Sequence, residues 1–301
     1  VIMYFVVINH IKNKNQIKKL IYLSLTSMII AAIYGLYQHF VLGVNRVNGF
    51  MLTLSFGGML AFFLVYFIVY LFWGNINYLK KFGFLFGIIL FAINLFHNGS
   101  RSAWIAFFGG GFTLTWLKSK KVFSIFIIFI LFASIILPNN YLISVRKNLD
   151  LEIDSSNQTR LSLWNKSVSM WRDNPINGVG VGNFQRVFEN KYSDSHSGST
   201  VNAHNNFMHF AAETGTLGVV AFTWFIFSLL KYLYLSYQKI EWNHNWNLFI
   251  LSSFLAAVVF NIQGLANVNF VEDTSIKFFW FWLALNVTLV DFESNEYQIK
   301  K

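Results

Sequence analysis

The sequence predicts an all-α polytopic membrane protein, a helical transmembrane bundle with one long extracytoplasmic loop, and three observations predict it. The 301-residue chain is 55% hydrophobic and 12% charged, with 35 Phe, 10 Trp and a mean hydropathy of +0.48. That is more apolar surface than a water-soluble fold can cover. Apolar runs of about 17 to 24 residues recur, matching the length a helix needs to cross about 30 Å of hydrocarbon. They do not alternate apolar with polar residues as barrel strands do, residues 62–72 being one continuous example. Finally, the lysines gather at alternate ends of these runs, as the positive-inside rule requires of a multi-pass chain.

The runs place full spans near 20–42, 50–73, 82–98, 102–117, 122–138, 215–236, 248–264 and 275–291. Residues 1–8 read as the tail of a span that begins earlier, so the chain is expected to be an N-terminal truncation. The 102–117 segment is short and holds Gly109, Gly110 and Gly111, which predicts tilting, bending or close packing against a neighbouring helix. Lys12, Lys14, Lys18 and Lys19, then Lys80 and Lys81, then Lys118, Lys120 and Lys121, then Lys231 and Lys239, then Lys300 and Lys301 mark the cytoplasmic side. Arg46, Arg101 and the 139–212 loop fall on the other side. The organisation expected is therefore N-terminal transmembrane helices over 1–138, an extracytoplasmic catalytic loop over 139–212, C-terminal helices over 213–291 and a cytoplasmic tail over 292–301, in the cytoplasmic (inner) membrane.

Several classes are excluded on composition. The chain has no cysteine, which removes disulfides, thiol nucleophiles and thiolate metal sites together. The net charge of +10 is largely cytoplasmic lysine serving topology, so no nucleic-acid partner is expected. No inverted repeat is visible, because the one long loop sits asymmetrically.

A loop of roughly seventy residues is where function is sought. Within it, Leu161, Trp164, Val168 and Trp171 recur at helical spacing, with Thr159 as the expected N-cap. Such an amphipathic helix suits the membrane surface and would hold Arg160 at headgroup depth; ordinary packing onto the bundle explains the aromatics equally well. Next come Pro175 and a run of alternate glycines, Gly178, Gly180 and Gly182. Gly180 and Gly182 are candidate substrate-binding positions whose backbone N–H groups could approach a phosphate. A structural turn is the plainer reading, since no P-loop lysine follows.

His204 and Asn205 then precede the next span, at the outer mouth of the membrane domain. Arg101, at the outer end of another span, should face polar company, because an arginine costs about 3 kcal/mol or more near the bilayer centre. Guanidinium forks bind phosphate bidentately and keep their charge. Arg46 is a second outer arginine and a candidate for substrate binding. His209 and Glu213, four apart, would pair on one helix face. Asp150, Glu152 and Asp154 form the loop's acidic cluster, but without a histidine or carboxylate at matching spacing no metal site is predicted.

The order Ser100-Arg101-Ser102, then Thr159-Arg160 with Trp164, then Asp173-Asn174-Pro175-Ile176-Asn177-Gly178-Val179-Gly180-Val181-Gly182-Asn183-Phe184, then Ala203-His204-Asn205 resembles the O-antigen ligase and Wzy-type polymerase family. His204-Asn205 followed at nine residues by Gly215, and then by Gly218, is similar to that family's histidine motif. The resemblance runs from about Asn45 to Ala221. It implies a glycosyltransferase of surface polysaccharide or lipopolysaccharide biosynthesis, with metal-independent, inverting transfer of an undecaprenyl-diphosphate-linked glycan to an acceptor hydroxyl outside the cytoplasmic membrane.

The partners it implies are that donor, a glycan, lipid A-core or other hydroxyl acceptor, and membrane lipids, with a chain-length regulator as a further candidate and no cofactor. The residues suit this chemistry. Arg101 and Arg160 can stabilise a departing diphosphate without a metal, and His204 can serve as general base, with diphosphate binding as its other role. A transporter or lipid-glycan flippase is the alternative from another class, and a structural or sensory membrane protein the third. The lysine alternation is tested by Ser197→Cys in this cysteine-free chain. An impermeant thiol reagent is expected to label it on intact cells, and labelling only after lysis would reverse the orientation.

Overall fold

The computed structural model describes residues 1–118, 155–192, 202–239 and 244–299. The expected span at 122–138, the acidic cluster Asp150, Glu152 and Asp154, and the loop tip with His196 lie outside the described residues.

Every regular element among the described residues is helical: α1 (Ile2–His10), α2 (Lys14–Phe40), α3 (Thr53–Trp73), α4 (Tyr78–Asn98), α5 (Arg101–Lys118), α6 (Ser155–Asp173), α7 (Phe184–Val187), a π turn (Phe188–Tyr192), α8 (Asn206–Lys239), α9 (His244–Gln263) and α10 (Asp273–Ile299). Six of these, α2, α3, α4, α8, α9 and α10, are long and apolar enough to cross a membrane. The chain is thus an all-α polytopic membrane protein. The 102–117 segment is helical as α5 but does not join those six, and α10 continues through residues 292–299.

Contacts divide the described residues into two compact units. One comprises Val1–Gly111, Phe227–Gln263 and Asn269–Lys301; the other comprises Phe112–Ile226 and Gly264–Val268.

In the first unit α3 is the central helix, buried at every position from Ser55 to Phe67. A helix apolar on all sides belongs inside a bundle. By contrast α2 buries a single stripe, Ile17, Ile21, Leu25, Met28, Ala32 and Gly35, at three- and four-residue steps. Its opposite face leaves Leu23, Ile30 and Ile33 exposed, and α4 likewise exposes Phe82, Phe86 and Phe96. Apolar residues standing outward along a full span are the mark of contact with lipid. Side-chain caps start two of these helices: Asn13 accepts from the Gln16 N–H at 3.0 Å and Asn77 from the Lys80 N–H at 3.0 Å. Deep in the unit, Trp282 packs edge-on against Phe62 and Phe63 and donates its indole N–H to Ser253 Oγ at 2.8 Å, so its one polar group is satisfied.

The glycines of α5 act as the sequence predicts. A Cβ on Gly109 would strike Ile262 of α9, and one on Gly110 would lie 2.5 Å from Val259 Cγ2 and 3.3 Å from Val65 Cγ2. Small residues here let three helices approach within van der Waals contact, the main source of association between helices in lipid. Gly110→Leu is expected to lower stability by about 1–3 kcal/mol, read as a lower thermal midpoint in detergent. Gly83→Ala, whose Cβ meets nothing within 4 Å, should leave it unchanged or raise it. A Gly110→Leu protein as stable as the parent would remove this close approach.

Candidate functional site

The second unit is built around a core of Leu163 and Met170 from α6, Phe184 and Phe188, and Ala203 and Ala212. Its geometry corrects two expectations. The helix carrying Arg160 begins at Ser155, so Thr159 lies inside it and is not its N-cap. Nothing in residues 155–158 is a proline or glycine that would stop the helix from propagating backward. The inward stripe is also displaced, comprising Leu163, Ser167 and Met170, while Leu161 is 46% exposed. Ser167 can be buried because its hydroxyl donates to the Leu163 carbonyl at 2.7 Å. The tryptophans flank this stripe and donate to protein: Trp164 Nε1 to the Ala203 carbonyl and Trp171 Nε1 to Thr216 Oγ1, each at 3.1 Å.

Helix α8 is broken at Gly215, whose backbone is non-helical (φ 65°, ψ −163°). The break releases hydrogen-bonding groups that the turn at residues 175–183 takes up one by one. The Thr216 N–H, which a regular helix would give to the Ala212 carbonyl, donates instead to the Pro175 carbonyl at 2.8 Å. The freed Ala212 carbonyl accepts from the Val179 N–H, and the Glu213 carbonyl from the Gly180 N–H, both at 2.9 Å. The two strips of backbone lie too close for side chains. A Cβ on Gly178 would collide with the Glu213 and Thr214 backbone, and one on Gly215 with the Ile176 carbonyl.

Glu213, buried on α8, completes the join. Its carboxylate accepts from the Phe184 N–H at 3.0 Å and from the Gly182 N–H. His209 Nε2 stands 3.5 Å from its second oxygen, the i,i+4 pairing the sequence suggests, and the His209 ring tilts over Phe184 with centroids 4.8 Å apart. The N–H groups of Gly180 and Gly182 are therefore directed at Glu213, an arrangement the i,i+4 spacing alone does not reveal. At the far end of the turn, Lys191 Nζ donates to Asp173 Oδ2 at 2.6 Å and the Tyr192 hydroxyl donates to the same oxygen. These two bonds hold the Asp173 carboxyl below the usual carboxylate range.

His204 sits between two anchors. Before it, Ala203 is buried and held by Trp164; after it, Asn205 caps α8, accepting from the Met208 N–H at 3.1 Å and donating to the Leu265 carbonyl at 2.8 Å. His204 is the one non-glycine residue with positive φ (47°) among the described residues. Its N–H donates to Asn202 Oδ1 at 2.9 Å. Left-handed backbone at a non-glycine residue costs of order 1–3 kcal/mol and persists where neighbours over-determine it. The ring is half-buried, with Nδ1 buried and making no hydrogen bond among the described residues. Burial first, and the Arg160 charge second, hold the imidazole below its ordinary pKa, so it is neutral near pH 7. Arg160 itself is half-buried and lies one turn before Leu163 on the inward stripe of α6.

The other two candidate arginines belong to the first unit. Asn98 is fully buried and donates to the Val47 carbonyl at 2.7 Å and the Thr53 carbonyl at 2.8 Å, stapling the α2–α3 loop across the end of α4. Gln38 clamps the same loop through the Asn48 and Gly49 N–H groups at 3.1 and 3.0 Å. Arg46 on this loop donates through Nε to the Asn98 carbonyl at 3.1 Å. Arg101, half-buried, opens α5 two residues beyond Gly99, and Ser100 caps that helix, accepting from the Ala103 N–H at 3.4 Å. Arg46 and Arg101 thus attend one turn, and the Arg160 charge acts on His204.

Residues 86–223 match the family model of the O-antigen ligases. The match takes in Arg101, Arg160, the 175–183 turn, His204 and the Gly215 kink, and Arg46 precedes it. A comparison with the curated proteins finds no match. The chain thus combines six membrane-length helices with a segment similar to the O-antigen ligases. Among its described residues no group of three His, Asp or Glu stands close enough to hold a metal ion. The kink chemistry predicts that Glu213→Ala, which orphans the buried Phe184 N–H and removes the acceptor of the Gly182 N–H, loses about 1–3 kcal/mol. Limited trypsin digestion should then cut at Arg172 and Arg186 sooner than in the parent, whereas Glu213→Gln, which keeps an acceptor oxygen, should resist nearly as well. Equal resistance of the alanine variant would show that the carboxylate does not seat the turn.

Proposed function

We propose that the protein transfers a glycan from an undecaprenyl-diphosphate carrier to an acceptor hydroxyl on the extracytoplasmic face of the cytoplasmic membrane, with inversion and without a metal. The observation that supports this reading best is the strained, half-buried His204 held neutral beside the Arg160 guanidinium. A neutral imidazole can accept the proton of an attacking hydroxyl, a step worth about 10²- to 10⁴-fold. The acceptor oxygen forms its bond to the anomeric carbon as the bond from that carbon to the diphosphate oxygen breaks on the opposite face. The hydroxyl proton passes to His204 and the electron pair leaves with the diphosphate. Arg160, in the unit of His204, can receive that developing negative charge, and Arg101 and Arg46, in the other unit, are further candidates to bind the carrier. Asn205 supports His204 as the cap of α8, and Gly180 and Gly182 support it by seating Glu213. The acceptor is a glycan, lipid A-core or another hydroxyl, and a chain-length regulator is a further partner.

The charge arrangement makes the base responsive to the donor. Arg160 depresses the His204 pKa in the free protein, and a diphosphate bound at Arg160 neutralises that effect and raises it. The acid limb of kcat/KM, which reports the free enzyme, should therefore lie below the range of a free imidazole. The acid limb of kcat, which reports the loaded enzyme, should lie at higher pH. His204→Ala is expected to abolish product while leaving carrier binding nearly intact, and Arg101→Lys to fail despite its charge, because lysine lacks the planar fork. Full product formation by His204→Ala in membranes, at matched abundance, would end the general-base role.

A further inference from the structure

The first unit contains a cavity of about 500 Å³, part polar and part apolar, between α2, α3, α4 and the start of α9. This is within the about 300–1,000 Å³ of small-ligand sites. Its inner wall is apolar, formed by Ile21, Leu25 and Phe67, with the buried Tyr70 stacked on Phe84 and the buried Tyr66 tilted against Tyr70. Tyr70 is fixed there, donating to the Asn245 carbonyl at 2.7 Å. At the mouth stand Lys18, on the second turn of α2, and Lys80, on the first turn of α4. Both are exposed, and among the described residues neither ammonium has a partner and no carboxylate lines the cavity.

We propose that this cavity holds one anionic glycerophospholipid, its acyl chain against Leu25 and Phe67 and its phosphodiester between Lys18 and Lys80. Three features favour that occupant. The lysines lie near helix ends, at the depth of a headgroup, while the apolar wall runs toward the middle of α2 and α3. The flanking outer surfaces, Leu23 of α2 and Phe82 and Phe86 of α4, are exposed apolar residues, so a lipid can enter sideways from the bilayer. Two exposed cations at one cavity mouth complement one anionic phosphate, and basic pockets between membrane helices are where such headgroups lodge. Gly83 borders the cavity, and a Cβ there would meet nothing within 4 Å, so the space beside it is open to a chain.

The test is native mass spectrometry of the full chain in detergent, titrated with phosphatidylglycerol or with phosphatidylcholine of the same acyl chains. One phosphatidylglycerol per chain should bind about tenfold more tightly than phosphatidylcholine. A Lys18→Gln/Lys80→Gln variant should lose that preference, and Gly83→Phe, at a helix position with free space, should lose retention of both lipids with an unchanged thermal midpoint. Equal binding of the two lipids by the parent, or undiminished phosphatidylglycerol binding by the double variant, would overturn the site. So would displacement of phosphatidylglycerol by equimolar undecaprenyl phosphate.

Discussion

The second unit depends on one exchange of backbone hydrogen bonds, the one that Gly215 permits. A regular α8 would satisfy Ala212 and Glu213 from within and leave the 175–183 turn with nothing to bind. By stepping out of helical geometry at Gly215, the chain converts internal helix bonds into bonds between α8 and the turn. The Thr216 N–H finds Pro175, and the two freed carbonyls find Val179 and Gly180. Because a buried backbone group left unpaired costs as much as a lost hydrogen bond, kink and turn stand or fall together. The turn in turn fixes Phe184, which joins Leu163, Met170 and Ala203 in the core. Through Ala203 that core positions His204.

This explains why some of the site is legible in sequence. Glycines at 178 and 215 are forced by backbone approaching backbone, so they persist as letters in a pattern, and the spacing from His204 to Gly215 is the length of helix between the cap and the break. Asn205, Arg101 and His204 are likewise visible because polar residues at the ends of apolar runs stand out. The face of α6 was not legible. Both candidate stripes contain large apolar residues, and the deciding contact is Ser167 closing its hydroxyl on its own helix, which hydropathy scores as polar. The start of α6 was misplaced for a related reason, since a threonine that could cap need not do so when the preceding residues tolerate a helix. The partners of Gln38 and Asn98 were also invisible, because they are loop carbonyls and N–H groups that carry no side-chain signature.

The membrane setting gives those two amides their weight. A loop at the end of a bundle cannot leave backbone groups unpaired beside hydrocarbon, and Gln38 and Asn98 each satisfy two positions of the α2–α3 loop. The loop so fixed carries Arg46, and the helix end so covered leads directly to Arg101. Guanidinium placement here is therefore a by-product of satisfying the backbone, which is a rigid way to hold a flexible side chain.

His204 shows the same economy applied to a base. Its left-handed backbone is unfavourable by itself, but Trp164 holds the residue before it, Asn202 holds its own N–H, and Asn205 holds the residue after it by capping α8 and binding Leu265. None of these contacts touches the imidazole. The ring is thus aimed by its backbone, its buried Nδ1 has no hydrogen-bond partner among the described residues, and its pKa is lowered by burial first and the Arg160 charge second. An imidazole fixed by a carboxylate would be more basic but permanently committed to that charge. One oriented from behind, and depressed by burial and by a guanidinium, is neutral near pH 7, the state that the proposed general-base role requires.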